Sequence, residues 1–342
     1  MTPSTITQPS QLQPTPLQIA QIERGYGLFL HFGINTFNNT EWSDGTLAAA
    51  SYCPPAVQAD QWVKTARDAG MRFVIVVAKH HEGFCLWNSR FTDYRVQASG
   101  NTTDVIRAVA DACERHGLEL GLYYSLWDRH EPCYGDDEKY AQFMGKQLEE
   151  LMDGRYGKIA ELWFDGGWEK SSSQWRLTEL YDLVKRLQPG CAFGVNHTIG
   201  EWDSLGFASE EHWPVRYREN EEMKFFPSDF RLYDPHFPRV GPTSDPKIYS
   251  HLGNPYYLPF EATICIRNMT NWFWDPGYTK DPTVTPAFIA ETYRALREQG
   301  NVLVVNCGPN TAGLIEEYDR QTLFEAARML GIASGDALIA PV

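Results

Sequence analysis

Short apolar runs alternate along the chain with longer stretches whose apolar positions fall three and four residues apart, the rhythm of strands followed by amphipathic helices. YGLFLHFGIN (26–35) reads as a strand, and QADQWVKTARDAG (58–70) as a helix stopped by Gly70. RFVIVVAK (72–79) is apolar on both faces, as a strand sandwiched between layers must be, and DVIRAVADACERHG (104–117) is a helix with a glycine stop. The beat repeats through LELGLYYS (118–125), a helix around EKYAQFMGKQLEELM, IAELWFDGG (159–167), QWRLTELYDLVKRLQPG (174–190) and CAFGVN (191–196). EATICI (261–266), PAFIAETYRALREQG (286–300), NVLVVN (301–306) and DRQTLFEAARML (319–330) finish it. This pattern predicts an α/β chain folded as one (β/α)8 TIM-like barrel.

Seven strands are recognisable, so the eighth must lie in residues 197–260, where aromatic, proline and charged residues crowd together without periodicity. That length predicts a strand plus a long functional loop insertion. Residues 1–20 are polar and proline-rich and read as an N-terminal segment, with the barrel domain spanning 21–342. The opening lacks the charged and apolar blocks of a secretory leader, which leads to an expectation of a cytoplasmic protein. No apolar run is long enough to cross a membrane as a helix, so no membrane partner is expected.

Charge narrows the function. Lys and Arg number 30 against 44 Asp and Glu, a formal net charge of −14, and no basic run concentrates the cationic surface that a nucleic-acid partner requires. The seven cysteines, at 53, 85, 113, 133, 191, 265 and 307, show neither zinc-site spacing nor disulfide density and read as buried thiols.

Barrel enzymes carry their chemistry where strands end, and each predicted strand ends in polar residues. His31 ends the first, Lys79, His80, His81 and Glu82 the second, Tyr123 and Ser125 the third, and Asp165 the fourth, while Glu261 lies at the start of the seventh. Asp165 stands after an aromatic run and before two glycines, which suits a carboxylate at an open strand end; a turn-capping aspartate is the plainer alternative. His80 and His81 are adjacent, and neighbours on a strand point to opposite faces, so metal coordination is disfavoured and imidazoles donating hydrogen bonds to a polar ligand are expected. Core histidines satisfied by packing are the alternative there. Aromatic residues make up 13% of the chain, and Trp42, Trp87, Trp127, Trp163, Trp168, Trp213, Trp272 and Trp274 fall at strand ends or in loops. Indole faces that cover C–H surfaces beside polar rims suit a sugar ring.

These strand-end stretches together resemble the α-L-fucosidases of glycoside hydrolase family 29. The resemblance is carried by LFLHFGINTF with Glu41 and Trp42, AKHHEGFCLW, GLYYSLWDRHEPCYG, ELWFDGG, FEATICIRNMTNWFW and NVLVVNCGPNTAGLI, spread over residues 24–315. It implies a (β/α)8-like barrel, without the C-terminal β-sandwich that often follows, and retaining exo-hydrolysis of terminal α-L-fucosyl linkages, α1,3 or α1,4, on oligosaccharides or glycoconjugates. No metal or cofactor is implied. The family nucleophile falls on Asp165, and fucose binding on His31, Glu41, Trp42, His80, His81, Trp87, Tyr123 and Glu261. The acid/base departs from the family pattern: WDSLGFASEEHW places Ser204 where one subgroup has its glutamate, whereas Ser209-Glu210-Glu211 resembles the stretch of another. Glu211 is the preferred candidate, with Glu210, Asp203 and Glu261 behind it. Two alternatives stay open: a catalytically silent fucose-binding barrel, and an exo-glycosidase for a related sugar such as an α-L-galactoside.

Overall fold

The computed structural model describes residues 12–199, 219–233, 246–267, 271–277 and 284–339. Its main sheet runs β1 (Tyr26–Leu30), β2 (Phe73–Lys79), β3 (Glu119–Ser125), β4 (Ile159–Asp165) and β5 (Ala192–Val195), with α1 (Pro16–Arg24) ahead of it. Helices α2 (Ile34–Asn38), α3 (Ala59–Asp68), α4 (Val105–His116), α5 (Asp137–Met152) and α6 (Leu177–Leu187) link these strands. After the short strand β6 (Glu221–Glu222) come β7 (Arg231–Tyr233), β8 (Ile248–His251), β9 (Asn254–Tyr257) and β10 (Phe260–Cys265); α7 (Pro286–Glu298), β11 (Val302–Asn306) and α8 (Glu317–Leu330) follow.

Eight strands form one parallel sheet in the order β5-β4-β3-β2-β1-β11-β10-β7. Its two edges meet. Asp229 N donates to Phe193 O at 2.7 Å, Thr198 N to Leu232 O at 3.3 Å, and Leu232 N to Thr198 Oγ1 at 2.9 Å, so the sheet closes on itself as a (β/α)8-like barrel. The missing strand is β7, inside 197–260 as expected. The same region adds a small sheet, β6-β8-β9.

Strand alternation divides the core in two. Phe29, Phe73, Ile75, Val77, Tyr123, Trp163, Leu232, Val302 and Val304 fill the lumen, while Leu28, Val74, Val76, Leu122 and Leu162 pack outward against the helices. The helices show the stop and cap residues their sequences promise: Asp104 caps α4 by accepting from Arg107 N, and Gly117 and Gly331 take left-handed backbone after α4 and α8.

Three expectations shift. The boundary placed after residue 20 falls inside α1, whose Gln18 and Gln21 are buried against the barrel, so residues 16–20 belong to the domain. The strand expected over 26–35 stops at Leu30 and gives way to α2. Side chains there bond locally, Thr36 Oγ1 accepting from Gly33 N and Asn38 donating to Ile34 O, and such bonds compete with a strand ladder. Of the cysteines, Cys53 is exposed and Cys133 half-buried, and the other five are buried; all are free thiols. No helix among the described residues is long and apolar enough to cross a membrane.

Candidate active site

A carboxylate at the end of β4 organises the open end of the barrel. Asp165 keeps 7% of its surface accessible, and its two oxygens have separate donors: Tyr123 OH to Oδ2 at 2.9 Å and Asn196 Nδ2 to Oδ1 at 3.0 Å. Burial pushes its pKa up, and the donors Tyr123, Gly166 N–H and Asn196, with the charge of His80, pull it back down. Gly166 permits this arrangement. It has φ +72°, and a Cβ there would lie 2.6 Å from Trp127 Cβ, so only glycine lets the loop after β3 close over the strand end, where Leu126 N bonds Asp165 O.

Three imidazoles pack together at this end, with His81 against the carboxylate. Both His80 and His81 serve the site, against the expectation from alternation, because β2 ends at Lys79 and the pair occupies the turn beyond it. A register shift between Val77 and Lys79 also turns Lys79 outward, where its ammonium meets Asp128 at 2.8 Å and Tyr124 OH at 3.0 Å, pinning the loop after β3 instead of facing the site. His80 stacks on Tyr123 with ring centroids 5.4 Å apart, and His81 Nε2 lies 3.6 Å from Asp165 Oδ2. His31 packs against His80 and Tyr123.

Indoles form the rim. Trp42, 43% exposed, meets His81 and Trp127 edge-on and stacks on Trp168 with centroids 6.2 Å apart. Glu41 beside it accepts from Trp272 N at 3.0 Å and Phe273 N at 3.1 Å; burial nevertheless pushes its carboxyl up to about 8. Glu82 accepts from Asn35 Nδ2 at 2.9 Å and lies 3.3 Å from His80 Nδ1.

His31, Glu41, Trp42, His80, His81, Tyr123 and Asp165 therefore belong to one constellation. Two expected members do not. Glu261 is the second residue of β10, paired with Val302 at the start of β11, so it sits at the barrel floor, fully buried, with Gln21 Nε2 at 3.3 Å. Trp87 lies outside the barrel wall, because Leu86 N bonds back to Ala78 O and carries the chain across the sheet's outer face; its indole donates to Glu150 of α5 at 3.1 Å. Glu211, Glu210, Asp203 and Trp213 lie outside the described residues. Asn196 was missed, although it stands at the end of CAFGVN as Asp165 stands at the end of its own strand. Ser125 and Asn306 were missed as partners of His81 and His31. Among the described residues, no group of three His, Cys, Asp or Glu side chains is arranged to hold a metal ion.

A family model described as alpha-L-fucosidase matches residues 31–334. The chain belongs to the alpha-L-fucosidase family. It is 34% identical to alpha-L-fucosidase 1 of Arabidopsis thaliana over 313 residues, covering 88% of this chain and 57% of that protein. It is 32% identical to tissue alpha-L-fucosidase of Mus musculus over 294 residues, covering 82% and 56%. Among solved structures, a Bacteroides ovatus protein that carries the provisional name alpha-L-fucosidase superposes with a TM-score of 0.75 at 27% identity, covering 95% of this chain and 57% of that one. The chain thus spans little more than half the length of these fucosidases, and its matched part is the barrel with the Asp165 constellation.

Proposed function

We propose that this chain is a retaining exo-α-L-fucosidase in which Asp165 is the nucleophile. The observation that carries the reading is the Asp165 carboxylate itself, reachable from the open end, held by neutral donors on both oxygens, with His81 beside it, His80 and His31 packed behind, and an exposed indole on His81. Such a carboxylate attacks C1 of a terminal fucosyl group, forming a glycosyl ester as the glycosidic bond breaks. A second carboxyl, about 5–5.5 Å away in a retaining pair, protonates the departing oxygen and then takes a proton from the water that cleaves the ester. Glu41 and Glu82 are already engaged by Trp272 and Phe273 and by Asn35, which supports assigning that role to the 197–260 region, with Glu211 first. Trp42 covers the C–H face and methyl group of the sugar. The substrate is a fucosylated oligosaccharide or glycoconjugate, with α1,3 and α1,4 linkages as the finer expectation.

Proton NMR of an aryl α-L-fucoside during hydrolysis tests this. The expected first product is α-L-fucose; β-L-fucose would overturn the retaining mechanism. Tight binding without turnover would make the chain a fucose-binding barrel. A kcat/KM higher for the α-L-galactoside would move the specificity to that sugar.

A further inference from the structure

Two of the three imidazoles at Asp165 are wired in the same sense. His31 Nδ1 lies 2.7 Å from Asn306 Oδ1. The amide of Asn306 has one consistent orientation, because its Nδ2 donates at 2.9 Å to the Trp272 carbonyl, and a carbonyl oxygen only accepts. Asn306 therefore offers His31 an acceptor, and the proton of that ring sits on Nδ1. His81 Nδ1 lies 2.7 Å from Ser125 Oγ, whose single hydroxyl proton is committed to the Trp127 carbonyl at 2.6 Å. Ser125 also acts as acceptor, and His81 also carries its proton on Nδ1.

A neutral imidazole protonated at Nδ1 presents a lone pair at Nε2. His81 Nε2 stands 3.6 Å from Asp165 Oδ2, beyond hydrogen-bond length, as two facing lone pairs require. Burial and the neighbouring His80 hold both rings below the ordinary histidine range, so they stay neutral. His80 is different: its Nδ1 faces the Glu82 carboxylate at 3.3 Å.

We propose that His31 and His81 bind the sugar as hydrogen-bond acceptors, each taking a proton from a ring hydroxyl at Nε2, and that Asn306 and Ser125 are the positioning residues that lock this tautomer. The proposal rests on the fucosidase reading for the identity of the hydroxyls, but the tautomers belong to the free protein. For His81 it reverses the sequence expectation that the imidazole donates. Two functions follow. The site selects groups that can give a proton, rejecting a fluoro or methoxy substituent at the same carbon. The lone pair of His81 also leaves Oδ2 of Asp165 without a competing N–H donor from that ring when it attacks C1.

Long-range proton–nitrogen correlation spectra of the uniformly labelled chain at neutral pH read the tautomers directly, with His31→Asn and His81→Asn used to assign the two rings. Both are expected with Nδ1 protonated and Nε2 unprotonated; an Nε2–H on either ring overturns the proposal. Ser125→Ala then frees His81 to sample both tautomers, and KM for an aryl α-L-fucoside should rise ~10-fold with a smaller change in kcat, as loss of one well-oriented hydrogen bond predicts. Ser125→Thr, which keeps the hydroxyl, should restore both the spectrum and KM. A shifted tautomer with unchanged KM refutes the binding role. A wild-type chain that shows the expected spectrum but hydrolyses no fucoside refutes the fucosidase reading and leaves the tautomer assignment standing.

Discussion

The barrel lumen holds buried carboxyls at both ends, and only one end is built to use them. Glu161, Trp163 and Asp165 all face inward along β4, so two residue pairs, roughly 13 Å of strand, separate the floor from the site. Phe29, Tyr123 and Trp163 pack into an aromatic layer between them. At the open end the Asp165 carboxylate receives neutral donors on both oxygens and keeps a path to solvent. At the floor two carboxyls, Glu161 and Glu261, are fully buried with Arg24 Nη2 3.0 Å from Glu161, and α1 covers them. Burial and then the charge of Glu161 drive the Glu261 carboxyl well above its usual range. Burial of an acid is common to both ends. Access, and donors that favour the ionised form, separate the proposed nucleophile from a structural acid pair.

The sharpest way to break this comparison is to remove each acid in turn. Asp165→Ala should lower kcat/KM on the order of 10⁴-fold, as loss of a covalent nucleophile does, while Glu261→Gln stays within about 3-fold of wild type. Steady-state kinetics on an aryl fucoside decide it, and comparable losses in both variants would erase the distinction. Asn196→Ala comes next. It removes the Oδ1 donor and should cost about 10–100-fold in kcat, the scale of one hydrogen bond to a charged group. The nucleophile must be ionised, so activity falls as pH drops through its pKa; burial already raises that pKa, and losing Asn196 raises it further. The acid limb of the pH profile should therefore move to higher pH, and a limb that stays in place would mean that Asn196 does not serve the carboxylate.

Trp87→Phe should lower unfolding stability by about 1–2 kcal/mol with kcat/KM unchanged, because it strips the indole N–H from Glu150 outside the barrel. Denaturant titration beside kinetics would expose an active-site role if KM rose. The smallest effect concerns Glu261→Gln at the floor. A carboxyl with a raised folded-state pKa binds its proton more tightly when folded, so its contribution to stability is complete below the unfolded pKa and is lost as pH climbs through the folded one. The glutamine variant escapes that loss. Its melting temperature should exceed wild type by roughly 3 °C at pH 8 and match it near pH 4. A gap that widens toward acid pH would reverse the sign and show the Glu261 charge to be stabilising.

Much of the site was legible because a barrel converts chain position into spatial position: a polar residue after an apolar strand lands at the mouth. That rule identified His31, Tyr123 and Asp165, and applied evenly it would have found Asn196 and Asn306 as well. Glu261, which stands at the start of its strand, was drawn into the site by the family resemblance and not by this rule, and the rule could not anticipate the register shift that sends Lys79 outward and leaves both histidines beyond the strand. Trp87 looked like a sugar platform because nothing local distinguishes an indole that turns toward the mouth from one that folds back over the wall.

The chain's own periodicity determined the strand–helix beat, the number of barrel strands within one, and the polar residues that terminate them, since those follow from which side chains tolerate water on one face or on none. Tertiary structure alone decided which buried acid is reachable, which histidine nitrogen carries its proton, and where the eighth strand closes the ring. Those outcomes depend on contacts between residues far apart in sequence, such as Asn306 with His31 and Asn196 with Asp165, which no local pattern encodes.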